Sequence, residues 1–536
     1  MLRLMGTKIG IEGTGMAEKQ IEIELKMRID PKHVNRLKQA PVLREVKEGR
    51  RLSTTQLVSI YYDTPKLSLS RKGLAIRVRK KGATGWEQTV KASNGLRAAL
   101  PERQEWTVEL EDGELDLAKF TDTDVLALLD KLTKNKKIDR IFETDLARTS
   151  VDLGYRDAVM ELAIDQGVVR AGTREAPISE VELELKEGHP ATLFDLALEL
   201  QRTVPLYLSL RSKASRGRSL YFDEPPTFYR ADPVGLQADM SAEEAFRAVI
   251  AQGLSMILGN EVCVRQDLHL EGCHQMRVGM RRLRVAFSLF RHNLPAGEAV
   301  LIRRLLKSCT KGLDALRDWD VFLGETLPAI EQRFPDKAET GEHGPNAELR
   351  KSAEGQRALA FKAAIAMLES SDYQQLCLLL GAWSSYSRWA SGASAAQMRA
   401  MSAPIGELAE PLLERARKRM AKRGNKVGEL GIAGLHAWRL DVKQMRYACD
   451  FFYEIYGGKA VKKFRSSLAE LQDILGQLND AAVAETRLSI LQSALSKQGL
   501  IGVGRIAGWY GARADYRLQG IASAWKEFDK QKPFWR

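Results

Sequence analysis

The sequence predicts an α+β protein: an eight-stranded antiparallel β-barrel with flanking helices, followed by an all-α domain of two pseudo-symmetric four-helix bundles. Three observations predict it. Eight strand-like runs with tight turns and occasional helices lie between residues 18 and 187. From residue 241 onward the apolar period becomes helical. Within that helical half, one pattern recurs at a constant offset of 162 residues. With 536 residues, the chain is also too long for one ordinary core, so two or more domains are expected.

The barrel is read from its first strand, Ile21-Glu22-Ile23-Glu24-Leu25-Lys26. Alternate strand residues share a face, so Ile21, Ile23 and Leu25 lie on one side and Glu22, Glu24 and Lys26 on the other. The pattern returns at Val181-Glu182-Leu183-Glu184-Leu185-Lys186, which predicts two strands facing one another across something charged. Further strands are expected near 57–63, 73–80, 86–92, 103–110, 140–149 and 158–165. Helices are expected at Pro31–Gln39, with proline in its first turn, and at about 116–132 and 191–202.

Charge alternates with apolar residues in most of these runs. Arg77 and Arg79 flank Val78, Lys91 follows Val90, Arg103 and Glu105 precede Trp106, Arg148 ends one run and Asp165 another. Two arrangements satisfy the alternation. In most antiparallel sheets the charged face meets water. Alternatively, the apolar faces pack against the flanking helices and the charged faces point inward. A dry lumen of unpaired charges is too costly, so an inward arrangement must hold water, ions or a charged ligand.

Glu22-Ile23-Glu24-Leu25-Lys26 resembles the ExExK signature of the CYTH family, the triphosphate tunnel metalloenzymes. The resemblance continues in order through Tyr61-Tyr62-Asp63-Thr64, Gly73 to Arg79, Thr89-Val90-Lys91, Ile164 to Gly167, Glu180 to Leu185 and Ser212 to Gly217, and covers residues 18–222. It implies a β-barrel tunnel in which Glu22, Glu24, Asp165, Glu182 and Glu184 bind Mg²⁺ or Mn²⁺. Lys26, Arg77, Arg79, Lys91, Arg103, Arg148 and Lys213 would then grip phosphate oxygens. Glu22, Glu24, Lys26, Glu182 and Glu184 form the implied catalytic set, with Glu105 a further lumen candidate and Lys186 directed either to ligand or to solvent. Hard carboxylate oxygens suit these metals, and phosphoryl transfer asks a protein chiefly for positioning and charge neutralisation. The implied reaction is attack by water on a terminal phosphorus of inorganic triphosphate, releasing phosphate and leaving pyrophosphate.

Asp223-Glu224-Pro225-Pro226 opens a linker, expected over 223–240, since paired prolines break regular structure. Ser241-Ala242-Glu243-Glu244 then reads as a capping box. Loops are expected near 335–346, 391–404 and 423–434. In the repeat, His274, Arg277, Arg281 and Arg284 recur as His436, Arg439, Lys443 and Arg446, and Leu313 to Asp318 recurs as Leu475 to Asp480. The 3-4-3 spacing places each basic set within about 80° of one helix face, while Met276, Met280, Leu283, Phe287 and Phe290 lie opposite. No acid at i±4 neutralises this face. It is either solvated or an anion site between the repeated units. Residues 241–530 resemble the CHAD domain, the conserved-histidine α-helical domain, which implies that these eight residues line a path for long-chain polyphosphate. Protonated histidine would favour such a ligand, so tighter binding toward acid pH is expected, as is weakening by salt.

Charge supports anionic ligands: Lys and Arg number 82 against 69 Asp and Glu, and most of the excess falls in residues 226–536, with 44 against 34. A specific nucleic-acid binder is disfavoured because aromatics do not interleave with the cationic helix faces. The five cysteines are scattered, without metal-ligand spacing or a disulfide framework. The first 17 residues are expected to be a disordered leader without a signal peptide's apolar stretch, and no apolar run is long enough to span a membrane, so the expected location is the cytoplasm. Alternative readings are a class IV adenylate cyclase, a thiamine or nucleoside triphosphatase, and a non-catalytic polyphosphate-binding scaffold.

Overall fold

The computed structural model describes residues 18–47, 49–81, 85–93, 102–134, 136–336 and 344–536; the expected leader lies outside the described residues. The chain divides into two compact units, Met1–Pro225 and Pro226–Arg536.

The first unit is a closed antiparallel ring. Its strands are β1 (Glu18–Arg28), β2 (Ser53–Asp63), β3 (Leu74–Lys81), β4 (Gly85–Ser93), β5 (Glu102–Leu110), β6 (Asp139–Tyr155), β7 (Ala158–Ala171) and β8 (Arg174–Glu187). They pair in the order β5-β4-β3-β2-β6-β7-β8-β1, and β1 returns to β5 to close the ring. A two-residue strand, β9 (Tyr207–Leu208), adds to β1 at Met27 and Arg28. The three strands β6, β7 and β8 run well beyond the expected ranges and form the tall side of the tunnel.

Residues directly opposed across a ladder point to the same face, so register alone carries one side around the ring. Glu22 opposes Arg103, Glu105 opposes Lys91, and Thr89 opposes Arg77. Arg79 opposes Ser59, Thr55 opposes Arg148, and Arg148 opposes Asp165. Asp165 opposes Glu180, and the circuit closes with Glu182 on Lys26 and Glu184 on Glu24. Glu22, Glu24, Lys26, Arg77, Arg79, Lys91, Glu105, Arg148, Asp165, Glu182 and Glu184 therefore share one face of the ring, while Lys213 lies outside the strands. The two acidic rows do not face one another across a gap, as expected from sequence; they are neighbours in one ladder, β1 against β8. Reading a strand alone cannot distinguish a facing strand from an adjacent one.

The outer face is apolar and covered. Ile76, Val78, Val90 and Trp106 pack with Phe120, Val125 and Leu129, the last two on a covering helix, Thr123–Thr133. Trp106 Nε1 donates to Asp122 at 2.9 Å, and Asp122 caps that helix through the amides of Asp124 and Val125. On the other side, Leu193, Phe194, Leu196 and Leu200 are buried in the helix Ala191–Gln201, which packs on β1 and β8 where Leu25, Met27, Val181 and Leu183 are buried. Each such side chain contributes about 1.5–3 kcal/mol by leaving water. In chain order the helices of this unit are α1 (Val34–Lys38), α2 (Pro41–Val46), α3 (Thr123–Thr133), α4 (Ala191–Gln201) and α5 (Lys213–Phe222). The sequence reading did not identify α5, whose polar, arginine-rich segment lacks an apolar stripe.

The second unit is helical throughout: α6 (Ala242–Arg265), α7 (Leu270–Leu289), α8 (Ala296–Val321), α9 (Leu327–Arg333), α10 (Pro345–Glu369), α11 (Ser371–Ser385), α12 (Ala395–Ser402), α13 (Ile405–Gly424), α14 (Ile432–Tyr456), α15 (Gly458–Gln492) and α16 (Lys497–Asp529). The capping box expected at Ser241 and Glu244 starts α6. Two four-helix sets form. In the first, α6 packs on α7 and α11, and α8 on α7 and α11. In the second, α13, α14, α15 and α16 pack in succession, and α16 returns to α13 where Trp525 Nε1 donates to Asn425 and its ring covers Gly424. α7 packs on its repeat counterpart α14, and α10 packs on α8 and α16. Part of the loop expected at 391–404 is α12, begun by a second capping box at Ser394 and Gln397.

Candidate active site

The inner face of the ring lines a cavity of about 680 Å³. Glu22, Glu24, Lys26, Glu182 and Glu184 meet there with Arg77, Arg79, Lys91, Glu105, Arg148 and Lys213. The Arg103 side chain lies outside the described residues. Asp165 is fully buried and is absent from the cavity lining.

The charges form two groups. In the first, Lys91 Nζ lies 2.7 Å from Glu22 and 2.8 Å from Glu105, and Arg77 reaches Glu105 at 3.6 Å. Burial raises the Glu22 carboxyl, but Lys91 and Lys26 outweigh it and hold the group below its ordinary range. In the second, Lys26 lies 2.7 Å from Glu24 and also bonds Glu182. Arg148 makes two bonds to Asp165, at 2.7 and 2.6 Å, and reaches Glu182 at 2.5 Å. Lys213 sits among Asp165 at 2.7 Å, Glu182 at 2.8 Å and Glu180. Despite burial, these cations hold Asp165 and Glu182 below the usual carboxylate range.

Asp165, Glu180 and Glu182 offer three oxygens within 4.8 Å of one another, yet the ammonium of Lys213 already bridges all three. The carboxylates that face the cavity itself are Glu22, Glu24, Glu105, Glu182 and Glu184, with Glu105 paired to Lys91 and Arg77. Burial raises the Glu184 carboxyl, with Glu22 and Glu161 adding to the rise against the pull of Lys186. Crowded hard oxygens on a solvent-reachable wall are the donor chemistry a small divalent cation takes. Opposite, Arg79 is pushed down to about 10 by burial and by its neighbours Arg77 and Arg148. The Arg77 Nε is buried without an acceptor. Acids on one wall and under-neutralised guanidinium groups on the other suit a cation with an anion between them.

Helix α5 explains the motif Ser212 to Gly217. Ser212 caps it by accepting from the Ser215 amide, and residues 212–215 reach the cavity wall. Its Ala214 and Leu220 pack against Tyr61, Phe142, Val169 and Ile178, an apolar patch on the ring. Gly217 lies flat on Phe142: a Cβ would stand 2.1 Å from the ring. Gly217→Ala is expected to cost about 1–3 kcal/mol by overpacking, read as a lowered urea midpoint; an unchanged midpoint would show that Phe142 yields freely. Asp63 of the Tyr61 to Thr64 motif is structural: it accepts from the amides of Thr64, Leu69 and Ser70 at 2.7, 3.1 and 2.9 Å. Lys186 bonds Glu184 at 2.7 Å and lies 3.5 Å from Glu161, outside the cavity lining. Glu180, which anchors Lys213 and lies 3.5 Å from Arg216, was not singled out from sequence although it continues the row of Glu182 and Glu184.

In the helical unit, the basic faces of α7 and α14 converge. Burial, Arg439, Arg281 and Arg277 together press Lys443 down to about 7. The Nε atoms of Arg277, Arg281 and Arg439 are buried without acceptors. The expected absence of acids at i±4 fails at Arg446, which lies 3.9 Å from Asp450 one turn on. Other acids arrive from the neighbouring helix, with Asp314 2.6 Å and Asp318 3.9 Å from Arg277. His436 Nδ1 and Arg439 both contact Asn479 Oδ1 at 3.2 Å, and Arg446 reaches Gln472 at 2.8 Å. Arg284 and His436 are exposed. Burial and Arg317 push His274 down to about 4. It is therefore neutral near pH 7, and its protonation would need a bound anion to raise it.

A ring of charged strands enclosing a cavity, followed by a duplicated basic helical unit, defines a tunnel protein with an appended helical domain. Residues 20–217 match the family model of the CYTH domain and residues 248–489 that of the CHAD domain, so the chain belongs to the proteins that join these two domains. It is 32% identical over 197 residues to the inorganic triphosphatase of Haemophilus influenzae, covering 37% of this chain and 54% of that protein. The chain thus spans about half the length of that curated relative. Among solved structures it is similar to the CHAD domain from the plant Ricinus communis, with 29% identity, coverage of 56% of this chain and 97% of that one, and a TM-score of 0.47. PptA from Streptomyces chartreusis matches at 16% identity over 53% of this chain and 99% of that one, with a TM-score of 0.42. Among the described residues, no helix is long and apolar enough to cross a membrane.

Proposed function

We propose that the tunnel hydrolyses inorganic triphosphate to pyrophosphate and phosphate with Mg²⁺ or Mn²⁺, and that the basic helical unit binds long-chain polyphosphate. The observation that carries the first part is the cavity in which Glu22, Glu24, Glu182 and Glu184 meet a set of lysines and arginines. The similarity to the inorganic triphosphatase of Haemophilus influenzae supports it.

Glu22, Glu24, Glu182 and Glu184 would hold the cation, which when bound neutralises phosphate charge and lowers the pKa of a water ligand. Arg77 and Arg79 present planar forks to phosphate oxygens, and Lys26 and Lys91 add point charges. Arg148 and Lys213 complete the grip while Asp165, behind them, fixes their positions. The amino end of α5 faces the same cavity and favours negative charge. Such a site aligns the terminal phosphate and balances charge as the bridging bond breaks. Phosphate release from tripolyphosphate, ATP, thiamine triphosphate and long-chain polyphosphate, each with Mg²⁺ or Mn²⁺, tests this. The expected order places tripolyphosphate first; preferred turnover of ATP would favour a nucleotide enzyme instead, and no turnover at all a scaffold.

For the helical unit, the carrying observation is the convergence of Arg277, Arg281, Arg439 and Lys443 with buried donors unmet. A bound polyanion stabilises the protonated form of Lys443, so affinity rises as pH falls toward about 7 and levels off below it. Polyphosphate titrations between pH 8.5 and 6 are expected to show that rise in the wild type and a flattened one in Lys443→Met; identical slopes would exclude Lys443 as the titrating group. Affinity should also fall steeply with added salt.

A further inference from the structure

Near the C-terminal end of α7 lies a second, smaller cavity of about 130 Å³, lined by Ser288, Arg291, His292, Arg415, Arg419 and Gln444 from α7 and the turn after it, α13 and α14. It is separate from the set Arg277, Arg281, Arg439 and Lys443. We propose that it is an additional phosphate-binding pocket, sized for one terminal or free phosphate group.

The first argument is its donor set. Four basic side chains, a hydroxyl and an amide converge, and no carboxylate lines the cavity. Gln444 Nε2 donates to Ser288 Oγ at 3.4 Å, and Arg291 Nε donates to His292 Nε2 at 2.9 Å. Arg419 is held by Asp441 at 2.8 Å, and that carboxylate is shared with Arg423. Among the described residues, Arg291 and Arg415 have no carboxylate within ion-pair distance; Arg415 Nε makes only a long bond, 3.4 Å, to the Pro411 carbonyl.

The second argument is independent and comes from the repeat. At the 162-residue offset, Ser288 corresponds to Asp450 and His292 to Glu454. In the second copy Asp450 neutralises two arginines, Arg465 at 2.7 Å and Arg446 at 3.9 Å. Their counterparts in the first copy, Arg303 and Arg284, have no carboxylate within that distance among the described residues. Both copies carry the arginines, but where the second has Asp450 and Glu454 the first has a hydroxyl and an imidazole, groups that can donate to an oxyanion. Arg303 and Arg284 do not line the cavity, but Ser288 and His292 do, so the cavity lacks the carboxylates that their counterparts would place there, and its exposed Arg291 and Arg415 are left to an external phosphate.

Titration of the full-length protein with pyrophosphate and, separately, with long-chain polyphosphate tests the pocket. Two variants remove it by different chemistry: Ser288→Asp restores the carboxylate of the second copy, and Arg291→Gln with Arg415→Gln removes two donors. Each is expected to weaken one binding event about tenfold or more while leaving tripolyphosphate turnover unchanged. Loss with both ligands assigns a pocket for free phosphate, and loss with polyphosphate alone assigns a seat for the end of a chain. Unchanged binding of both ligands by both variants overturns the proposal, as does a loss confined to an Arg281→Gln, Lys443→Gln variant of the central path.

Discussion

Glu184→Gln is expected to lower phosphate release from tripolyphosphate by about two to three orders of magnitude while leaving the melting midpoint level or higher. The activity loss follows from removing an anionic oxygen from the wall that faces the guanidinium groups, where charge stabilisation is worth most. The stability expectation follows from burial and the carboxylates of Glu22 and Glu161, which raise Glu184 above its ordinary value. A raised carboxyl favours its neutral form in the folded state, so at pH 7 the ionised form costs stability that a neutral amide does not. Metal-dependent turnover at the wild-type rate in this variant would remove Glu184 from the site. A collapsed melting midpoint would assign it to the fold instead.

Lys213→Met is expected to have the largest effect on stability. It strips the ammonium from Asp165, Glu180 and Glu182, all buried. Removing one partner of a buried charge cluster typically costs about 3–5 kcal/mol, which for a unit of this size corresponds to a loss of roughly 10 °C in melting midpoint. The sign with pH is set by the carboxylates. Asp165 and Glu182 are held low in the folded protein, so their contribution is present above about pH 4, near their unfolded values, and is lost as pH falls further through the folded ones. Acid should narrow the gap between wild type and variant. An undiminished gap at pH 3 would mean that the cluster does not carry the stability.

Much of this architecture was legible in the residues. Alternation in Ile21 to Lys26 and in Gly73 to Arg79 marked faces correctly, because a strand's side-chain period is two whatever surrounds it. The 3-4-3 rhythm of His274 to Arg284 marked a helix face for the same reason, and the constant offset exposed the duplication. Helix α5 escaped because its inward contacts are made by Ala214, Gly217 and Leu220, too few to give an apolar period. Glu180 escaped because a carboxylate at the start of a row looks like any other surface acid until Lys213 is seen beside it.

By itself, then, the sequence determined which residues share a face, where helices and strands alternate, and that the helical half is doubled. These are local properties, set by backbone geometry over a few residues. Only the tertiary structure decided that the charged faces enclose a cavity, that Glu24 stands opposite Glu184, and that Asp165 lies behind its arginine rather than on the wall. It also decided that His274 stays neutral near pH 7, that Lys443 titrates there, and that Ser288 stands where its counterpart is an acid. Each of these depends on distances between groups remote in the chain. Coulomb energy depends on separation and on the surrounding dielectric, and neither is set until the chain has closed on itself.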